Sequence, residues 1–209
     1  MLRCETVSDF ETLFDPEERA VLRRARELLE HRMRDHDKRY RHSLGVAETS
    51  IELARTYDVN VFDAACAGLV HDWDKVLDDH ELVARCLRYG IKVYGSPSDA
   101  LPLLHGPVAA VELPELFPEF SPAVMQAVDR HTVAAVDMEP LDMVVFVADC
   151  IEPNRHGDYA DALRAEVGKV SLPQLFFDSF AQGLVYVIKT GRYLYPKSVE
   201  IYNRYASAL

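Results

Sequence analysis

The stretch AGLVHDWDK, residues 67–75, runs an apolar segment straight into His71-Asp72, then Trp73, Asp74 and Lys75. Burying a carboxylate is costly unless it is paired or ligated. Imidazole nitrogen and carboxylate oxygen are donors that divalent transition metals accept, and helices facing one interior can supply them from distant parts of a chain. The chain has eight histidines, and three others share the context of His71. His42 stands beside Leu44 and Val46 near the start of a helical pattern. His105 follows LPLL and precedes Gly106-Pro107, at a loop-to-helix junction. His131 ends the periodic run AVMQAVDRH. Asp149 closes MVVFVA, a second apolar segment that meets a carboxylate. Taken singly, each histidine reads as a hydrogen-bonded structural residue, and Asp149 as a cap or an ion-pair partner. Together the placements point to metal chemistry. His36-Asp37 is also a His-Asp pair followed by lysine, but it lies among charges in RMRDHDKRY, and a solvated face explains it.

Other chemistries lack their motifs. Neither GxSxG nor the phosphate loop GxxxxGK[ST] occurs, so water is a simpler nucleophile than a side chain. The net charge of -11 argues against a nucleic-acid binder that neutralises phosphates. A small phosphorylated ligand stays compatible, because a bound cation dominates its local field. The four cysteines, Cys4, Cys66, Cys86 and Cys150, form no CxxC pair. Cys66 and Cys150 lie in apolar runs and read as small core residues in a reducing cytoplasm. The start, MLRCETVSDFETLF, is acidic and lacks the apolar segment of a signal peptide. No apolar run approaches the roughly 18–20 residues that span a bilayer.

These side chains need helices to hold them. Residues 16–34 read as a helix opened by Pro16 with Glu17 and Glu18 in its first turn. Residues 39–57 place Leu44, Ala47, Ile51 and Ala54 on one helical face. Residues 61–71 are apolar nearly all round and predict a buried helix. Residues 79–89 predict a fourth helix. The segment 90–104, with Gly90, Gly95, Pro97 and Pro102, reads as the longest loop, a lid or specificity element. Short helices are expected over 105–113 and 122–131. The Val-rich 140–151 suits a buried strand by propensity, but its helical surroundings favour a buried helix. Helices over 172–189 and 197–206 complete an all-α chain.

The order His42, His71-Asp72, His105, His131, Asp149 resembles the HD-domain metal-dependent phosphohydrolases. The flanks resemble one branch of them, the YqeK-like symmetrical diadenosine tetraphosphate hydrolases. The supporting stretches are RYRHSLGVAETSIELA (39–54), GLVHDWDK (68–75), LHGPVAA (104–110), RHT (130–132), ADCIEPNR (148–155) and GRYLYP (191–196). The His-Asp pair alone is generic, whereas ADCIEPNR with GRYLYP downstream is specific. The resemblance spans roughly residues 38–205 and implies an all-α HD-domain helical bundle over 38–209; residues 1–37 fall outside it and read as a helical extension expected to pack on the domain. It implies that His42, His71, Asp72 and Asp149 hold one metal. Asp72 then bridges to a second, held also by His105 and His131. The implied cofactor is a dinuclear centre of iron, with manganese or cobalt as alternatives. Two cations acidify a shared water and neutralise charge developing on phosphoryl oxygens.

The implied reaction is hydrolysis of diadenosine tetraphosphate to two ADP, with Asp72 and Lys75 as catalytic residues. Lys75, one turn past the His-Asp pair, is a candidate contact to phosphate or leaving group. Arg155 resembles a phosphate clamp. Arg130 and Thr132 are weighed as substrate contacts against a surface and a capping role. Tyr193, with Tyr195 as a second candidate, is weighed as a stacking partner for a base against ordinary packing. Glu152 either supports the metal ligands or bonds a ribose. Trp73 is expected to pack as an apolar wedge, and Cys150 stands where the family often has an aromatic residue. Asp74 departs from the branch. It is expected to pair with Lys75 or Arg155 or to face solvent, and to affect substrate preference. Hydrolysis of nucleoside monophosphates or another small phosphoester, and a regulatory module with little turnover, are the competing functions. The expected partner is a small nucleotide in the cytoplasm, with no nucleic acid or membrane, and a homodimer is left open.

Overall fold

The computed structural model describes residues 9–207, so Cys4 and most of the acidic N-terminal stretch lie outside the described residues. Eleven α-helices are formed among the described residues. In chain order they are α1 (Pro16–Arg32), α2 (Asp37–Thr56), α3 (Val61–Val70), α4 (Asp79–Tyr89), α5 (Pro97–Ala100) and α6 (His105–Leu116). There follow α7 (Pro122–Arg130), α8 (Pro140–Ile151), α9 (Asp158–Glu166), α10 (Leu172–Lys189) and α11 (Ser198–Ala206). No strand is present among these residues, as the sequence predicts.

Local chemistry starts most of these helices. The Asp15 carboxylate accepts from the N–H groups of Glu17 and Glu18, with Pro16 in the first turn of α1. That satisfies donors a helix start leaves orphaned. Asn60, Asp78, Ser121 and Ser171 cap α3, α4, α7 and α10 in the same way. In α8, Glu139 and Asp142 form a reciprocal capping box. This box decides the ambiguity of 140–151 in favour of helix, and residues 141–148 are all buried.

The core positions the site. Helix α2 packs along α3 and α8, and α7 lies against α3, α6 and α8. The extension predicted to pack on the domain does so through α1. Leu22 and Leu29 are fully buried in the same core as α2, α3 and α8. Each such leucine contributes about 1.5–3 kcal/mol.

Gly68 lets α2 and α3 approach closely. A Cβ there would lie 2.8 Å from Ser50 Oγ and 2.9 Å from the Ala47 Cα. Because backbone blocks it, Gly68→Ala is expected to cost about 1–3 kcal/mol through overpacking. Chemical denaturation would show the change as a lower midpoint.

Four elements escape the sequence reading. One is a 3-10 turn at Phe10–Leu13. Two lie inside the segment read as a loop: α5 and a 3-10 turn at Leu101–Leu103. The fourth is α9, where only Ala160 and Leu163 are buried, too sparse a pattern to stand out. Yet α9 matters to the site. The Arg164 guanidinium donates to the carbonyls of Ile151 at 2.8 Å, Glu152 at 2.8 Å and Arg155 at 2.6 Å. It thus satisfies the end of α8 and fixes the segment that follows Asp149.

The segment 90–104 is tied down at several points. Ala100 and Leu104 join Leu82, Cys86 and Val108 in a second apolar cluster. Tyr193 packs against that cluster, and its hydroxyl accepts from the Ser96 N–H at 3.1 Å.

Candidate metal centre

Helix ends converge on one point. His42 sits in α2, His71 directly follows α3, and Asp72 begins the tight turn after it. His105 is the first residue of α6, His131 directly follows α7, and Asp149 lies in the last turn of α8. His71 is fully buried, and Asp72, His105 and His131 are nearly so. All six side chains singled out in the sequence are brought together.

The two oxygens of Asp72 face different histidine pairs. Oδ2 lies 3.8 Å from His42 Nε2 and 3.7 Å from His71 Nε2. Oδ1 lies 3.0 Å from His105 Nε2 and 3.7 Å from His131 Nε2. Two sets of potential metal donors therefore share Asp72, and Asp149 adds an oxygen 3.0 Å from His42 Nε2.

The ring orientations are fixed from behind. Three of the histidines direct Nδ1 at a carbonyl three residues earlier. His71 reaches Gly68 at 2.8 Å, His105 reaches Pro102 at 3.1 Å and His131 reaches Val128 at 2.7 Å. A carbonyl only accepts, so Nδ1 of His71 and His131 carries the proton and their Nε2 lone pairs point inward, while His105 Nδ1 also lies 3.3 Å from Lys75 Nζ. The Nε2 atoms of His105 and His131 stand 3.0 Å apart, and those of His42 and His71 stand 3.2 Å apart. Nitrogens this close, with the Asp72 carboxylate between the two pairs, are placed to share a cation. This donor set fits divalent cations.

His42 is oriented by a carboxylate. Its Nδ1 lies 3.0 Å from Glu152 Oε1, the arrangement that raises ligand basicity. Of the two roles weighed for Glu152, the geometry matches support of the ligands. Gly45 makes room for it, since a Cβ there would meet Glu152 Oε2 at 2.6 Å. Burial lowers the pKa of His42, but bonds to Asp149 and Glu152 outweigh it and hold the ring up at about 9. Burial pushes His71 and His105 down to about 4. Burial also opposes ionisation of Asp72 and Asp149. The surrounding imidazoles outweigh it and hold both carboxyls well below the usual range.

The site floors a cavity of about 1110 Å³. Lys75, Thr132 and Arg155 line it. Lys75 Nζ donates to the Pro102 carbonyl at 2.9 Å, and burial lowers its pKa. Arg155 donates to Asp149 through its carbonyl at 2.8 Å and through Oδ1 at 2.6 Å. The Thr132 hydroxyl is buried and has no protein partner. His36 and Asp37 are exposed, as the solvated reading holds, but they border the mouth of this same cavity.

Two expected substrate contacts stand elsewhere. Arg130 does not line the cavity. It joins α7 to α8 by bonds to Asp142 at 2.8 Å and the Asp137 carbonyl at 2.7 Å. Tyr193 is engaged with Ser96 and does not line the cavity either. Tyr195 packs edge-on against Tyr94. Arg39 was missed. It lines the cavity and pairs with Asp72 Oδ2. The available signal was its place three residues before His42, on the same helical face.

The expectation for Asp74 is corrected. It neither pairs with Lys75 or Arg155 nor faces solvent. It is fully buried, and its partner is Arg32 at the end of α1. Arg32 also donates to the Trp73 carbonyl at 2.6 Å and lies over the Trp73 ring at 5.1 Å. Trp73 packs edge-on against Phe117 at 5.7 Å, which is the wedge the sequence suggests. Asp72 lines the cavity and His71 lies buried beneath it among the other histidines, while 73 and 74 turn away from it. Burial pushes the Asp74 carboxyl up to about 6 although Arg32 favours its charge.

Comparison with known proteins agrees with this architecture. The sequence profile described as HD domain matches residues 39–154, more than half of the chain. A symmetrical bis(5'-nucleosyl)-tetraphosphatase of Halalkalibacterium halodurans is 30% identical over 172 residues, covering 80% of this chain and 89% of that protein. An enzyme of the same name from Staphylococcus aureus is 29% identical, covering 81% of this chain and 87% of its own. A crystal structure of a predicted HD superfamily hydrolase involved in NAD metabolism, from Clostridium acetobutylicum, superposes with a TM-score of 0.81 at 29% identity. That match covers 88% of this chain and 96% of the other. The profile takes in His42, the His71-Asp72 pair and Asp149 together, and with these relatives aligned over most of their length this chain belongs to the HD-domain family.

Proposed function

We propose that this protein hydrolyses diadenosine tetraphosphate symmetrically to two ADP, using two divalent cations at the centre described above, with iron as the resident metal. The observation that carries this reading is the division of Asp72 between two histidine pairs at the floor of a cavity that Arg39, Lys75 and Arg155 line. Relatives that bear the tetraphosphatase name and align over most of their length support the substrate. The cavity volume of about 1110 Å³ suits an extended ligand, since pockets for small molecules run to roughly 300–1,000 Å³.

His42, His71, Asp72 and Asp149 would hold one cation, and Asp72, His105 and His131 the other. When bound, such a pair lowers the pKa of a water and offsets charge on phosphoryl oxygens. The protein's own groups do the rest. The carbonyls behind His71, His105 and His131, and Glu152 behind His42, keep every Nε2 aimed inward. Lys75, held by the Pro102 carbonyl, supplies positive charge near the departing phosphate. Thr132 and Arg155, in the segments that follow α7 and α8, border the cavity where the polyphosphate would lie. Symmetric cleavage requires water to attack one of the two inner phosphorus atoms. The oxygen between them leaves with the other ADP.

A hydrolysis panel checks the proposal. Protein loaded with iron, manganese or cobalt is offered diadenosine tetraphosphate, nucleoside monophosphates and a phosphodiester, and the products are separated. ADP as the sole product of the tetraphosphate is expected. ATP plus AMP would contradict symmetric cleavage. Turnover of monophosphates alone would transfer the assignment to a nucleotidase.

A further inference from the structure

Both carboxylates proposed as metal ligands carry an arginine, but the two arginines are held differently. Arg155 is anchored twice on Asp149, and its own carbonyl accepts from Arg164 at 2.6 Å. Arg39 has one side-chain partner among the described residues, Asp72 Oδ2. Its side chain is 33% exposed, and it lines the cavity. A guanidinium has five N–H donors in a fixed fork, and a single carboxylate oxygen leaves most of them free to take a second acceptor.

The oxygen it holds is the decisive one. Asp72 Oδ2 is the atom that faces His42 and His71. A cation among those donors and the Arg39 guanidinium draw on the same lone pairs. A carboxylate oxygen that binds a divalent cation is a weaker acceptor for arginine, which then favours a second anion within reach. In this cavity that anion is a phosphate group. Arginine matches phosphate with two parallel hydrogen bonds.

We propose that Arg39 is a phosphate-binding residue whose guanidinium passes between Asp72 and the nucleotide's phosphate chain, so that metal loading prepares the site for its substrate. This rests on the reading of the site as a nucleotide hydrolase centre. Arg39 thereby couples the two ligands: it opposes the metal at Asp72 and attracts the nucleotide once the metal is in place.

Calorimetric titration of Arg39→Gln separates this role from a structural one. Two probes are used: manganese alone, then ADP added to the manganese-loaded protein. Loss of a competing cation should tighten manganese binding by a few-fold, and loss of a charged hydrogen-bond donor should weaken ADP binding about tenfold or more. A merely structural arginine would weaken both. Weaker manganese binding, or unchanged ADP affinity, overturns the proposal. Arg39→Lys keeps the charge but not the fork, and should recover part of the ADP affinity. It takes over both titrations if Arg39→Gln does not fold, with the same two shifts expected in smaller measure and the same reversal counting against the idea. Neither titration needs turnover. A wild-type protein that binds ADP but does not cleave the tetraphosphate would end the tetraphosphatase reading and leave the Arg39 proposal to be judged on its own.

Discussion

Asp72→Ala is expected to empty both metal positions and to reduce hydrolysis below about a thousandth of the wild-type rate. The reason is geometric. One oxygen of Asp72 serves His42 and His71 and the other serves His105 and His131. Removing it takes a donor from each set and the only carboxylate common to them. Four inward imidazole nitrogens are then left with less negative charge to offset a cation. Asp149→Ala is the control. It removes the oxygen beside His42, which is also the partner of Arg155, but no donor of the other set, so Asp72, His105 and His131 should keep metal. Metal content measured by mass spectrometry, with rates measured on the same samples, separates the two variants. A metal-replete, active Asp72→Ala protein would sink the assignment.

Arg32→Ala is expected to destabilise the fold by about 3 kcal/mol. Its side chain is 23% exposed, whereas that of Asp74 is at 0%. Truncating the arginine therefore strands a buried carboxylate, one of whose oxygens already lacks a partner. For a chain of this size the loss should lower Tm by about 6–12 °C. Asp74→Ala should cost less, because Arg32 keeps the Trp73 carbonyl and can turn to water. The pair of changes together should be more stable than Arg32→Ala alone, since no buried charge then remains. Thermal unfolding of the three variants reads this order directly. Equal losses in Arg32→Ala and in the double variant would show that the stranded carboxylate is not what costs. Neither single change should alter substrate preference, because Asp74 does not border the cavity.

Much of the site was legible because burial makes demands on sequence. An apolar run that ends in His71-Asp72 needs compensation for a buried charge, and so does the run that ends in Asp149. The boundaries of α4, α8 and α10 were legible for a similar local reason: caps and apolar periodicity lie within a few residues of each other. Helix α9 was not, because its role is polar and its apolar face is thin. For Arg130 and Tyr193 neighbours in sequence leave substrate contact and a surface or packing role side by side, and their side chains satisfy Asp142 and Ser96.

The sequence by itself determined the helical class and the residue types gathered at the candidate metal centre, since these follow from local patterns of apolar and ionisable residues. Tertiary structure alone decided how those residues pair. Arg39 meets Asp72 across 33 positions, Arg32 meets Asp74 across 42, and Glu152 meets His42 across 110. No periodicity or cap links such distant residues, and a charge chooses its partner only after the chain has closed around it. Asp74 shows this best. Two positions from a shared carboxylate, it looks like part of the same chemistry, yet the turn after α3 directs it to the back of the site, where it fastens the N-terminal helix to the motif.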